Sequence, residues 1–141
     1  MNSVQISRTL PAPQSDVFAA WTDAESMKEW MDVTPGPALS VELDLRVGGQ
    51  IRIVMGEGEP VAEITGEFVE IDPPNRLVFT WRSYATNDQN SLVTVELTPD
   101  GPDATKLTLT HEQLPSTESA EGHKAGWIAI GKKLAAQLGA R

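Results

Sequence analysis

The sequence predicts an α+β domain, a meander of short antiparallel strands covered by one long C-terminal helix. Two observations carry this. Between Ser40 and Glu112, apolar residues recur at alternate positions between turns rich in Gly, Pro and Asp, the pattern of half-buried strands. From Ser116 onward, Ala120, His123, Trp127, Ile130, Leu134 and Leu138 recur at steps of three and four, which places them on one helical face. Glu118, Glu121, Lys124, Lys132 and Lys133 fall on the opposite face. A helix laid across a curved sheet can enclose a space rather than fill it.

The elements follow in order. Val4, Ile6 and Arg8 alternate with polar residues in a first strand over 3–10. Pro11 and Pro13 end it, with Pro13 expected as a first helical residue because its missing N–H costs nothing there. Val17, Phe18 and Trp21 stripe a short helix. Asp23 is positioned to cap a second one carrying Met27, Trp30 and Met31 on one face. Pro35-Gly36-Pro37 breaks that pattern. A strand with Val41, Leu43, Leu45 and Val47 turns at Gly48-Gly49 into one with Ile51, Ile53 and Met55. After an acidic turn at Gly56–Pro60, a longer strand runs from Val61 to Ile71, and its Gly66 marks a bulge or a close backbone approach. Asp72-Pro73-Pro74-Asn75 turns the chain into Leu77, Phe79 and Trp81. Beyond a polar loop over Asn87–Asn90 come Val93, Val95 and Leu97, then the hairpin turn Pro99–Asp103, then Leu107, Leu109 and His111. Ser116 is the expected cap of the long helix. The expected whole is one domain over residues 1–141: a sheet of six to seven strands, with two short helices after the first strand.

Composition narrows the partners. Twenty acidic against eleven basic side chains leave a net charge of −9, a field that repels nucleic acid and anionic membrane. With no cysteine, disulfides and thiolate metal sites are excluded. No signal peptide and no membrane-spanning run are read in the chain, so a cytoplasmic protein is expected.

His111 alternates to the side of Leu107 and Leu109, beneath the helix, and His123 lies one turn before Trp127. The two can approach each other, but no third ligand with metal spacing accompanies them, and neither metal nor cofactor is expected. Gly48-Gly49 lacks the context of a phosphate-binding loop, and no serine is placed as a nucleophile. Trp21 belongs to the core. Trp30, Trp81 and Trp127, from three elements, can wall one space for a flat apolar ligand, with Met27, Met31 and Met55 as soft filling.

Several segments together resemble a known family: Arg8–Pro13, Val17–Asp23 with Trp30, Asp44–Gly49, Asp72–Pro74, Leu77–Trp81, Leu107–His111 and Gly126-Trp127. In this order they are similar to the START-like helix-grip superfamily (SRPBCC), and within it to the C-terminal domain of the activator of the ninety-kilodalton heat-shock protein's ATPase. The resemblance implies a sheet gripping the C-terminal helix around a hydrophobic cavity. It carries fold and pocket location but no catalytic residue, and a heat-shock chaperone partner is not expected.

The leading expectation is therefore a non-catalytic site for a small apolar or aromatic molecule formed by Trp30, Ile53, Met55, Trp81, His111, His123, Trp127 and Ile130, with His111 giving orientation. One alternative is an enzyme of cyclase, aromatase or hydrolase type, with His111 as acid or base beside His123 or Tyr84. Another is an interaction module with an exposed apolar patch near Gly36–Leu39, or a homodimer interface.

Overall fold

The computed structural model describes residues 2–34, 36–56 and 62–140. Its chain order is β1 (Asn2–Leu10), α1 (Gln14–Thr22), α2 (Ala24–Trp30), β2 (Ser40–Leu43), β3 (Gln50–Met55), β4 (Ala62–Asp72), β5 (Arg76–Trp81), a 3-10 turn (Tyr84–Thr86), β6 (Ser91–Pro99), β7 (Thr105–Leu114) and α3 (Thr117–Gly139). The strands form one antiparallel sheet in the order β1-β7-β6-β5-β4-β3-β2, so β1 and β2 are its edges. α3 packs chiefly along β1 and also meets α2 and β7. This is the α+β architecture that strand alternation and the α3 stripe imply, in the helix-grip form that the resemblance implies.

The core lies between the concave face of the sheet and the helices. Leu10, Val17, Trp21, Trp30, Ile53, Phe68, Phe79, Val93, Leu109 and Leu134 are all buried there. The caps follow local chemistry. Asp23 ends α1 and caps α2, accepting from the Glu25 N–H at 3.2 Å. Ser116 caps α3 by accepting from the Ser119 N–H at 3.0 Å. Pro13 holds the extended N-cap position of α1 instead of its first turn, with ψ at 156°.

Two further expectations need correction. β2 stops at Leu43, so Leu45 and Val47 are 47% and 64% exposed in the following loop instead of continuing the alternation. There the Arg46 N–H donates to Asp44 O and the Gly49 N–H to Arg46 O, each at 2.8 Å, so backbone turns replace the ladder. Lys133 does not join the solvated face of α3. Its ammonium donates to the carbonyls of Thr34 (2.8 Å), Asp32 (3.2 Å) and Gly36. The 3-10 turn, too short for periodicity to reveal, precedes the expected polar loop over Asn87–Asn90. Gly66 is indeed a close approach: a β carbon there would stand 2.0 Å from the Thr80 carbonyl oxygen. Most of the expected acidic turn, Glu57–Pro60, and Val61 lie outside the described residues. Among those described, no helix is long and apolar enough to cross a membrane.

Candidate ligand cavity

A cavity of about 510 Å³ lies between the N-terminal half of α3, the ends of β3, β4 and β5, and the 3-10 turn. Its apolar wall is Met55, Ile64, Trp81, Trp127, Ile130 and Val33. Ser83, Asn87, Ser116, Ser119 and His123 also line it, as does Glu118, which helical phase places on the opposite face, and Tyr84 is 68% exposed. Gly122 and Gly126, one helical turn apart on α3, also line it. At Gly122 a β carbon would meet nothing within 4 Å, so no packing accounts for a glycine there.

Of the residues expected at the site, Met55, Trp81, His123, Trp127 and Ile130 come together on this wall. Trp30, Ile53 and His111 do not line it; all three are 0% exposed in the packed interior. Trp30 packs edge-on against Trp21, with ring centroids 4.7 Å apart, instead of meeting Trp81 and Trp127, whose rings touch at a 53° tilt with centroids 4.9 Å apart.

His111 sits directly behind that wall. Trp127 Nε1–H donates to His111 Nδ1 at 3.0 Å. Since Nδ1 accepts, the neutral ring carries its proton on Nε2, which faces Ser91 Oγ at 2.7 Å. Ser91 Oγ in turn donates to the Trp81 carbonyl at 2.6 Å. The register of β6 brings this about by pairing Ser91 with Trp81 on β5 and Val93 with His111 on β7. Burial, aided by the neighbouring His123, pushes the His111 pKa from 6.5 down to about 3. A neutral ring with both nitrogens engaged leaves no free site for acid–base work on a ligand. His111 instead fixes the wall by holding Trp127 against Trp81.

His123 differs. Its ring lies 4.7 Å from that of His111, edge to face. Nδ1 bonds the Ser119 carbonyl at 2.8 Å, so it carries the proton and Nε2 keeps a lone pair. No hydrogen bond to Nε2 forms among the described residues. Burial lowers the His123 pKa, opposed by the Ser119 carbonyl, which favours the protonated ring. The cavity thus presents an imidazole acceptor beside the Trp81 and Trp127 rings. Ser119 also donates to Ala85 O at 2.6 Å, tying α3 to the 3-10 turn.

Sequence reasoning missed Ser83, Asn87, Ser119 and the two glycines. The spacing of Ser119 and His123, four apart on one helix face, was the available signal for Ser119. Asn87 was invisible in that respect: it holds a left-handed conformation (φ 55°) beyond the 3-10 turn, which periodicity does not report. Among the described residues, no three His, Asp or Glu side chains gather in a group able to hold a metal ion.

Comparison with known proteins agrees with this architecture. No curated protein matches the chain. An HSP90 activator from Plasmodium falciparum is 32% identical, with a TM-score of 0.73 over 89% of this chain and 86% of that one. Protein Mll3558 from Rhizobium loti is 30% identical, with a TM-score of 0.76 over 96% and 95%. CalU16 from Micromonospora echinospora is 26% identical, with a TM-score of 0.74 over 94% of this chain and 71% of that one. The family model described as "Activator of Hsp90 ATPase homolog 1-like protein" matches residues 11–139, and the chain belongs to that family.

Proposed function

We propose that this protein binds a small, largely aromatic molecule bearing a hydroxyl group in the cavity beneath α3, without chemical turnover. The observation carrying this is the pairing of the contacting Trp81 and Trp127 rings with the unoccupied acceptor of His123 in one lining. Aromatic rings supply contact area, and one directional polar group selects orientation. A ligand hydroxyl would donate to Nε2, whereas a ligand carrying only acceptors would leave that lone pair opposed.

The test is titration with 1-naphthol and with 1-methoxynaphthalene, followed by quenching of tryptophan fluorescence. The expected result is naphthol binding at least about tenfold tighter, roughly the worth of one buried hydrogen bond. His123→Leu should erase the difference. Equal binding of both compounds, or of neither, would overturn the reading. Native mass spectrometry of protein from its own host, followed by organic extraction, would then identify the resident molecule.

A second reading is action on a heat-shock chaperone, favoured by the 32% identity to a protein named as an HSP90 activator. It predicts faster ATP hydrolysis by that chaperone when this protein is added, and an unchanged rate would dismiss it.

A further inference from the structure

On the other flank of α3, between its middle turns and β1, lies a second recess of about 410 Å³. Its walls are apolar, formed by Ile6, Leu10, Trp21, Leu109, Ile130 and Leu134 among others. Arg8 is the charged residue in this lining. The alternation of β1 turns Ser7 and Thr9 to solvent and Ile6, Arg8 and Leu10 toward α3. The Arg8 side chain runs beside Gly131, where a β carbon would lie 3.6 Å from its Cδ and 3.7 Å from an Nη.

Among the described residues no carboxylate answers this guanidinium. The ion pairs involve Arg46, Arg52 and Arg76, all on exposed surfaces, although the chain carries twenty acidic residues. A second polar group in the same lining also lacks a partner. Trp21 is 2% exposed, and its buried Nε1–H has no acceptor among the described residues. The buried Trp21 N–H carries a desolvation cost that an incoming acceptor would offset, and the half-buried Arg8 adds a positive charge to the same lining.

We propose that this recess is a separate binding site for a small apolar carboxylate, its hydrocarbon part against Leu109, Ile130 and Leu134 and its carboxylate on the Arg8 guanidinium. The planar guanidinium fork suits a carboxylate, and the volume falls within the range of small-molecule sites. With the whole protein at −9, attraction for an anion must be local, and Arg8 supplies it. The recess shares only Trp127 and Ile130 with the first cavity, so the two sites stand or fall separately.

The experiment compares decanoate, decanol and decyltrimethylammonium by calorimetric titration, with the indole N–H resonances of the tryptophans as reporters of place. Decanoate should bind about tenfold or more tighter than decanol, and the cation not measurably. The Trp21 indole signal should shift. Arg8→Met should bring decanoate down to the affinity of decanol, and Arg8→Lys should retain part of the preference. Equal affinity of wild type for decanoate and decanol would overturn the proposal, as would unchanged decanoate binding in Arg8→Met. Decanoate that moves His123 and Met55 signals but not Trp21 occupies the first cavity, which overturns the second site while leaving the reading of the first intact. Should Arg8→Met fail to fold, the wild-type ligand comparison and Arg8→Lys still decide.

Discussion

The indole N–H of Trp127 donates to His111 Nδ1 at 3.0 Å, and this bond sets the tautomer of a ring with 0% exposure. It makes Nε2 the protonated nitrogen, extends through Ser91 to the Trp81 carbonyl, and so links the two tryptophans of the cavity wall from behind.

Trp127→Phe should keep most of the ring area while leaving His111 Nδ1 buried and unpaired. The expected cost is about 1–3 kcal/mol for that orphaned acceptor. Urea denaturation measures it, and a loss near zero would show that Nδ1 finds another donor.

Trp127→Ala tests whether the ring borders a void. A fully packed tryptophan should cost about 3–5 kcal/mol on truncation. Because one side of Trp127 faces the cavity, the loss should fall below that range, with naphthol affinity dropping sharply. A full-size loss with unchanged affinity would place the ligand elsewhere.

Stability should depend on pH through His111. Its unfolded pKa is near 6.5 and its folded value about 3, so the unfolded chain binds the extra proton between these limits. The contribution is fully present above pH 6.5. It is lost as pH falls toward 3, at up to about 1.4 kcal/mol per pH unit. His123, also lowered, acts in the same direction. At pH 5 the wild type should take up about one proton more on unfolding than His111→Gln does. Equal uptake would show that His111 is protonated in the fold.

The glycines should divide by what surrounds them. Gly66→Ala forces a β carbon to 2.0 Å from the Thr80 oxygen and should cost about 1–3 kcal/mol or more. Gly122→Ala meets nothing within 4 Å and should stabilise α3 by up to about 1 kcal/mol. Gly122→Trp should occupy the cavity and abolish naphthol binding while the protein stays folded. Thermal unfolding and the fluorescence titration together check the set.

Lys133→Met removes the ammonium that joins α3 to the carbonyls of Asp32, Thr34 and Gly36. The expected loss is about 1.5–3 kcal/mol, with faster amide exchange around Val33, which lines the cavity. Unchanged exchange there would mean that the Asp32 carboxylate, bonded to Thr34 and to the Gly56 N–H, holds the segment alone.

The order and kind of the elements were legible in the sequence, because alternation and the three-to-four step are local consequences of strand and helix geometry. The same periods placed His111 inward with Leu107 and Leu109, and Trp127, Ile130, Leu134 and Leu138 on the inner face of α3, as the burial of all seven shows. A period reports which side a residue faces, but not what stands opposite it. Only the tertiary structure decided that Trp30 closes against Trp21 while Trp81 meets Trp127, and that His111 lies behind the wall while His123 lies on it. The same holds for Lys133, recruited by three carbonyls roughly a hundred positions away, whose helical phase alone reads as solvent-facing. A void arises where layers contributed by distant segments, here the N-terminal half of α3 and the ends of β3, β4 and β5, stand apart, and no local pattern encodes that distance.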